Sequence, residues 1–335
     1  MKFIPQFIPY WDEFEKKDVQ KVLERDYLNE HKVVRQFEKN FSEFVGAKYC
    51  ITCTSGTTAL YLALKSVYGD KVPKKINIPD YAGIFVGNAC IQAGISPTLN
   101  DVSENGSIFS NNKPRFVVHS NGRLGSTQIL EDCAQAISHH TKNSISCYSF
   151  ASTKHITTSG QGGAICCDDQ ETFDMLSRLK DLGRNDRQNL KPMSDYFEFW
   201  GVNSKFTEIQ AAFGLAQLKK LPKRLTRFNK MYKLVKDELK NVNGIDFFQD
   251  SPKWYIDILV KNPDLLIQKL RKYGIQVRRF YRPLHQQPLY KNKKNNFKNS
   301  NYLYEHGLWL PSTTNLSDKE LLYITNKIKI LLKNE

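Results

Sequence analysis

The chain has 335 residues, of which 40% are hydrophobic and 25% charged. This is an ordinary make-up for a folded globular protein and argues against a disordered or fibrous chain. The length is generous for one core, so two lobes are expected. Of the net charge of +15, residues 1–214 contribute nothing (24 basic, 24 acidic) and residues 215–335 everything (25 basic, 10 acidic). A field of that kind attracts nucleic acid or a multiply charged anion such as a nucleoside diphosphate, unless it is only a solvated Lys/Asn-rich surface.

In chain order, residues 1–20 (MKFIPQFIPYWDEFEKKDVQ) carry two prolines and early acids and no unbroken apolar run, so no secretory signal is expected. No stretch approaches the roughly 18 apolar residues of a membrane helix, so no membrane partner and a cytoplasmic location are expected. Asp12 to Asp26 reads as a helix. A second amphipathic helix carries Val34, Phe37, Phe41 and Phe44 at spacings of three or four. Strand-like runs follow at 49–53, 76–78, 115–118, 128–132, 146–149 and 164–167, with helix patterns at 58–67 and 84–93 between several of them. Strands alternating with helices predict an α/β layer around a mostly parallel sheet. Cys50 and Cys53 form a CxxC pair inside the first run. The seven scattered cysteines, an odd number, suit reduced thiols better than a disulfide framework or a metal site.

A long helix is predicted from Thr207 to Pro222, after which the chain turns to basic amphipathic segments. Residues 290–301, rich in Lys and Asn, read as an exposed loop. Ser317 and Glu320 form a capping box that opens a last helix through Leu321, Ile324 and Ile328. The lobes are drawn at 12–225 and 226–335, with residues 1–11 packing nearby.

Three segments carry chemistry. Residues 54–60 (TSGTTAL) end a strand and start a helix, whose free N–H groups suit a phosphate; a plain N-capped turn looks the same. Residues 131–136 (EDCAQA) place Asp132 at a strand's C-terminal end, where α/β sheets bind ligands. Asp132 could keep a proton on a pyridine nitrogen, or merely cap the next turn. Residues 149–163 (SFASTKHITTSGQGG) put Lys154 between a strand end and a Gly-rich turn. A partly desolvated lysine there loses its proton readily, whereas an isolated one would be a surface group.

The order of these three motifs, followed by GVNSKFTEIQAAFGLAQLKKL at 201–221, resembles the DegT/StrS sugar-nucleotide aminotransferases, with the likeness running from about Ile8 to about Leu332. Residues 274–285 (GIQVRRFYRPLH) are similar to the perosamine and viosamine synthase branch. The resemblance implies fold type I of the pyridoxal-phosphate enzymes. That fold is α/β: a three-layer α/β/α large domain on a mostly parallel seven-stranded sheet, plus a smaller α+β C-terminal domain. It also implies roles. Lys154 is the Schiff-base lysine and proton shuttle, Asp132 pairs with the pyridinium nitrogen, and Gln135 lies near the ring's 3′ oxygen. Gly56, Thr57 and Ser149 hold the phosphate. Asn203 reaches the phosphate of the partner subunit in a homodimer with shared sites. Lys205, Arg278 and His285 face the substrate. The cofactor is pyridoxal 5′-phosphate, passing through pyridoxamine 5′-phosphate, with glutamate as donor and a nucleotide-linked 4-keto-6-deoxyhexose as acceptor; no metal is implied.

Two departures stand out. Where the family carries a ring-stacking aromatic, this chain has Gly83, with Tyr81 or Phe85 as substitutes. Residues 120–127 are also too few for the helix that family members carry there, so a tight loop is expected. The alternatives are amination at C3, a 3-dehydratase (which would replace Lys154 by histidine), a catalytically impaired member, and a basic nucleic-acid-binding protein, for which no motif is present.

Overall fold

The computed structural model describes residues 3–25, 27–69, 71, 73–106, 116–125, 129–184, 197, 199–290 and 296–333. Helices α1 (Glu13–Leu23) and α2 (Lys32–Val45) come first. Asp12 caps α1 through a full capping box with Glu15. The α2 stripe of Val34, Phe37 and Phe41 is buried, as its spacing requires. Then follow β1 (Tyr49–Cys53), α3 (Gly56–Tyr68), β2 (Lys75–Pro79), α4 (Ile84–Gln92), β3 (Ser96–Asn100), β4 (Phe116–Val118), β5 (Leu130–Asp132), β6 (Ile145–Ser149), β7 (Gly163–Cys167) and α5 (Gln170–Lys180).

Five of these strands form a sheet in the order β1-β7-β6-β5-β4, and β2 pairs with β3 in parallel. Strand β7 alone runs against its neighbours; β6, β5 and β4 are mutually parallel. The expected seven strands are present, hydrogen-bonded as five plus two. Helices α3, α4 and α5 cover one face through a core containing Ile51, Leu62, Val86, Ile165 and Leu176. Helix α2 and the start of the next helix cover the other through Phe37, Phe41, Tyr148, Phe150 and Phe206. This makes three layers. Strand β3 escaped the pattern because its sequence, Ser-Pro-Thr-Leu-Asn, lacks an alternating apolar face.

Helix α6 (Glu208–Leu239) corrects the expected stop at Pro222, since it runs on for 17 more residues. A proline inside a helix removes one backbone hydrogen bond. Here Leu218 and Leu221 before it and Phe228, Met231 and Val235 after it are buried, so packing on both sides holds the helix together. After α6 come β8 (Ile245–Asp246), β9 (Asp257–Val260), α7 (Pro263–Arg271), β10 (Arg278–Arg279), α8 (Lys298–His306), β11 (Gly307–Trp309) and α9 (Asp318–Lys333). The second sheet, β10-β11-β9-β8, is wholly antiparallel. Its core takes Phe228 and Met231 from α6, Leu321 and Ile324 from α9, and Ile4 from the N-terminus, where Ile4 bridges Ile275. Residues 298–301 belong to α8 rather than to an exposed loop; 291–295 lie outside the described residues. The Ser317/Glu320 capping box opens α9 as expected.

The shortened connection runs from 119 to 129, because β4 ends and β5 starts inside the expected limits (Asp26, Arg115 and 126–128 lie outside the described residues). Eleven residues suffice for the parallel crossover between β4 and β5. Beneath this stretch lies a polar cluster around Glu131. His119 Nδ1 accepts from the Gly125 N–H (3.1 Å), so its Nε2 carries the proton and donates to Glu131 (2.7 Å). His139, the Thr141 amide, Ser144 and Ser146 complete the set. Three atoms of metal-ligating type stand within 4.8 Å of one another here, from His119, Glu131 and His139. The proton on His119 Nε2 and the saturated carboxylate make this a hydrogen-bond hub. All seven cysteines are free and buried. No described helix is long and apolar enough to cross a membrane.

Candidate active site

Asp132 ends β5, Ser149 ends β6, and the turn after β1 leads into α3. All open into one cavity of about 220 Å³, lined by Gly56, Thr57, Phe85, Asp132, Ser149 and Lys154 and also by Ser55, Gln161 and Tyr281.

The anion end is built by close approach. Ser55 caps α3, its side chain accepting from the Thr58 N–H at 3.1 Å. The amides of Gly56 and Thr57 in the first turn have no intrahelical acceptor. A Cβ on Gly56 would stand 2.6 Å from Ser149 Cβ, so only glycine lets the helix start sit against the end of β6. The result is a cradle of backbone N–H and hydroxyl donors at the positive end of a helix dipole.

At the other end sit the amine and the carboxylate. Lys154 is 7% and Asp132 3% exposed. Burial lowers the Lys154 pKa to about 8, against the opposing pull of Asp132. Burial raises that of Asp132, opposed by the Ala134 N–H at 2.9 Å and by Lys154. Lys154 Nζ lies 4.4 Å from the centre of the Trp254 ring, whose indole N–H donates to the Thr153 carbonyl. The Trp254 ring thus packs against the lysine. The neighbouring His155 is buried, and burial depresses its pKa to about 4. It holds the Lys253 carbonyl and not the cavity.

Gly83 is explained by Phe85. A Cβ at 83 would lie 2.2 Å from ring carbons of Phe85, so that ring fills the space a side chain at 83 would take, and it lines the cavity. Tyr81 does not line it. Tyr81 is buried behind, 5.9 Å from the Phe280 ring, with its hydroxyl 3.4 Å from Asn121 Nδ2. Gln135 stands beside the cavity, its Oε1 accepting from the Asn121 N–H at 2.5 Å.

The remaining site residues lie apart. Asn203 is exposed and pairs across a bridge with Asp181. Lys205 is bound to Asp181 at 2.6 Å. His285 is held by Asp80 at 2.7 Å and stacks on Phe297. Arg278 is exposed, over the rings of Tyr281 and Trp309 at 5.6 and 5.8 Å. Sequence reasoning missed Tyr281, Trp254 and Asn121. Tyr281 lies within the stretch 274–285 already singled out, and nothing local marks Trp254.

The fold is that of solved aminotransferases. Helicobacter pylori PseC, an aminotransferase involved in the biosynthesis of pseudoaminic acid, superposes with a TM-score of 0.91 at 22% identity, covering all of both chains. The chain belongs to the DegT/DnrJ/EryC1/StrS aminotransferase family, whose profile matches residues 9–114 and 125–329. Among its relatives, the GDP-perosamine synthase of Escherichia coli O157:H7 is 27% identical over 98% of both chains. The dTDP-4-amino-4,6-dideoxy-D-glucose transaminase of Shigella dysenteriae is 24% identical over 97% of this chain and 95% of its own.

Proposed function

We propose that this chain is a pyridoxal-phosphate-dependent aminotransferase. It would move an amino group from glutamate to C4 of a nucleotide-linked 4-keto-6-deoxyhexose. The observation that carries the reading is one cavity holding a buried amine and a buried carboxylate, with a helix N-terminus at its far end. The donor set fits the cofactor. Gly56, Thr57 and Ser149 would hold its phosphate, in a cradle that a Cβ at 56 would fill. Asp132 would face the ring nitrogen, and Phe85 would lie against the ring. When bound, pyridoxal phosphate supplies an electron sink for the carbon that bears the amino group.

The residues do the rest. With a pKa near 8, about a tenth of Lys154 is unprotonated at pH 7, against well under a thousandth for an ordinary lysine. Its Nζ can therefore attach an aldehyde and afterwards accept and return a proton. Asp132, whose carboxylate accepts from the Ala134 N–H and faces Lys154, would in its ionised form hold a proton on the ring nitrogen. Rate of cofactor attachment to the apo-protein should rise with pH and level off above about 8, as the amine deprotonates. A stopped-flow absorbance series checks this.

The Shigella dysenteriae relative is named for a 4-amino-4,6-dideoxy sugar, which favours C4 over C3. The presence of Lys154 favours amination over dehydration. Exposed Asn203, apart from its own chain's cavity, supports a homodimer in which it serves the partner's site. The two hydrophobic cores that meet along α6 support lobes divided near residue 225. The test is direct: the purified protein should be yellow and lose its colour on adding glutamate. A panel of GDP- and dTDP-linked keto-deoxy sugars, with product masses, should show oxygen replaced by nitrogen. Turnover by Lys154→Ala at the wild-type rate would overturn the reading.

A further inference from the structure

The positive excess of the C-terminal third takes no part in the chemistry above, and the fold shows where much of it is displayed. Along α6, Lys219, Lys223, Lys230, Lys233 and Lys240 lie exposed on one line with Thr226 and Asp237, at steps of three and four residues. At 1.5 Å per residue that line is about 30 Å long. Asp237 is bound to Lys240 at 2.9 Å. Among the described residues, α6 forms ion pairs through Lys220, Arg227, Asp237, Glu238 and Lys240, and not through the other four lysines of the line.

Helix α9 widens this face. Arg227 pairs with Asp318 at 2.7 Å and Glu238 with Lys329 at 2.5 Å, which ties the two helices side by side and parallel. Both bury their inner sides in one core with Ile258 and Val260 of β9. Side chains alternate along a strand, so both helices cover the same face of the small sheet, and their outer sides form one surface. On α9 that outer side shows Lys319, Leu322, Asn326, Ile330 and Lys333. Leu322 is 37% and Ile330 48% exposed, although both are aliphatic. The carboxylates beside these lysines are engaged: Asp237, Glu238 and Asp318 in ion pairs, and Glu320 at the Ser317 cap.

We infer that the outer sides of α6 and α9 are a docking face for an anionic lipid bilayer, with the lysines at the headgroup phosphates and Leu322 and Ile330 entering the layer beneath. Charge complementarity alone would also admit a nucleic acid, and three features favour lipid. The exposed cations of both lines are lysines, hydrated point charges that suit a diffuse layer of phosphates, where the arginine fork suits single ones. A bilayer has an apolar layer to receive two aliphatic side chains, and a sugar–phosphate backbone has none. Two helices side by side, each about 10 Å across, are too broad for a major groove about 12 Å wide. The expectation of no membrane partner rested on the lack of a spanning segment, and lying on a surface needs none. Phe228, whose ring meets His155 at 5.6 Å, is buried on the opposite side of α6, so the docking face looks away from the segment that carries Lys154. This inference does not depend on the aminotransferase reading.

Co-sedimentation of the full chain with vesicles tests it, using equal parts of phosphatidylglycerol and phosphatidylcholine against phosphatidylcholine alone. Wild type should bind the anionic vesicles at low salt, ignore the neutral ones, and come off as added salt screens the charges. Lys219→Gln, Lys223→Gln, Lys230→Gln and Lys233→Gln made together should cut that affinity by about 100-fold or more, at about fivefold for each lysine. Glutamine keeps a lysine-like helix propensity, so thermal melting followed by circular dichroism should match wild type. Leu322→Ser with Ile330→Ser should cut vesicle affinity by about tenfold and leave the weak attraction to a random-sequence DNA duplex unchanged. No binding to anionic vesicles, equal binding to neutral ones, or full vesicle affinity in either variant would overturn the assignment. Tighter binding to the duplex than to the vesicles would overturn it in favour of a nucleic acid.

Discussion

Glu131 and Asp132 are neighbours on one strand, both carboxylates and both buried, yet they are held in opposite ways. Side chains alternate along a strand, so the two point to opposite faces of the sheet. On its face, Glu131 meets His119, His139, Thr141, Ser144 and Ser146. Burial alone would raise its pKa, but hydrogen bonds from His119, His139 and Ser144 outweigh that and hold it far below the carboxylate range. Asp132 has one backbone N–H and a lysine across a cavity, and burial wins, raising its pKa. A buried acid with all its lone pairs used stabilises a fold. One left with unused acceptor capacity beside a cavity is ready for a ligand.

The sharpest way to break this comparison is Asp132→Asn. It should lower kcat/KM by about a thousandfold or more, on the order of 4 kcal/mol of lost transition-state stabilisation. The apo-protein's unfolding midpoint in urea should hold steady or rise, since a buried charge has been removed. If activity survives, the carboxylate is not electronic in its role.

Glu131→Gln should do the reverse. Removing the charge from a saturated buried hub costs about 2–4 kcal/mol of stability, while turnover per folded molecule stays near wild type. The pH dependence has a definite sign. The depressed folded pKa means that this stabilisation is present above the ordinary glutamate range and is lost as pH falls below it. The gap between wild type and variant in chemical unfolding should therefore be full near neutrality and shrink on acidification below about pH 4.5. A gap that grew instead would sink the account of the hub.

The smallest effect concerns the wall of the cavity. Phe85→Ala should weaken cofactor retention by about tenfold, the scale of one lost aromatic contact. The double change Gly83→Phe with Phe85→Ala should recover part of it, because the new side chain would enter the space the old ring left. Equilibrium dialysis with absorbance reads both. Unchanged retention in Phe85→Ala would show that the ring is only a plug.

Much of this was legible in the residues. The helix starting at Asp12, the capping box at Ser317 and the Val34–Phe44 stripe appear where their patterns put them, and the strand runs lie within a residue or two of theirs, because each is a local signal. Lys154, Asp132, Gly56, Thr57 and Ser149 converge because strand ends of one sheet share one edge. Phe85 was one of two options that only packing could separate. For Lys205 and His285 the sequence did not show their partners: in the folded chain they are held by Asp181 and Asp80, residues distant from them in sequence.

The order of residues by itself determined the alternating strands and helices and the small-residue turn before α3, and it singled out Lys154 and Asp132 as candidates for the chemistry. Tertiary structure decided the rest: that α6 passes through Pro222, that Phe85 fills the place of Gly83, and that Lys154 loses its proton near pH 8 instead of 10.5. These outcomes depend on neighbours far apart in the chain, and on the exclusion of water. Neither is encoded in any short stretch of sequence.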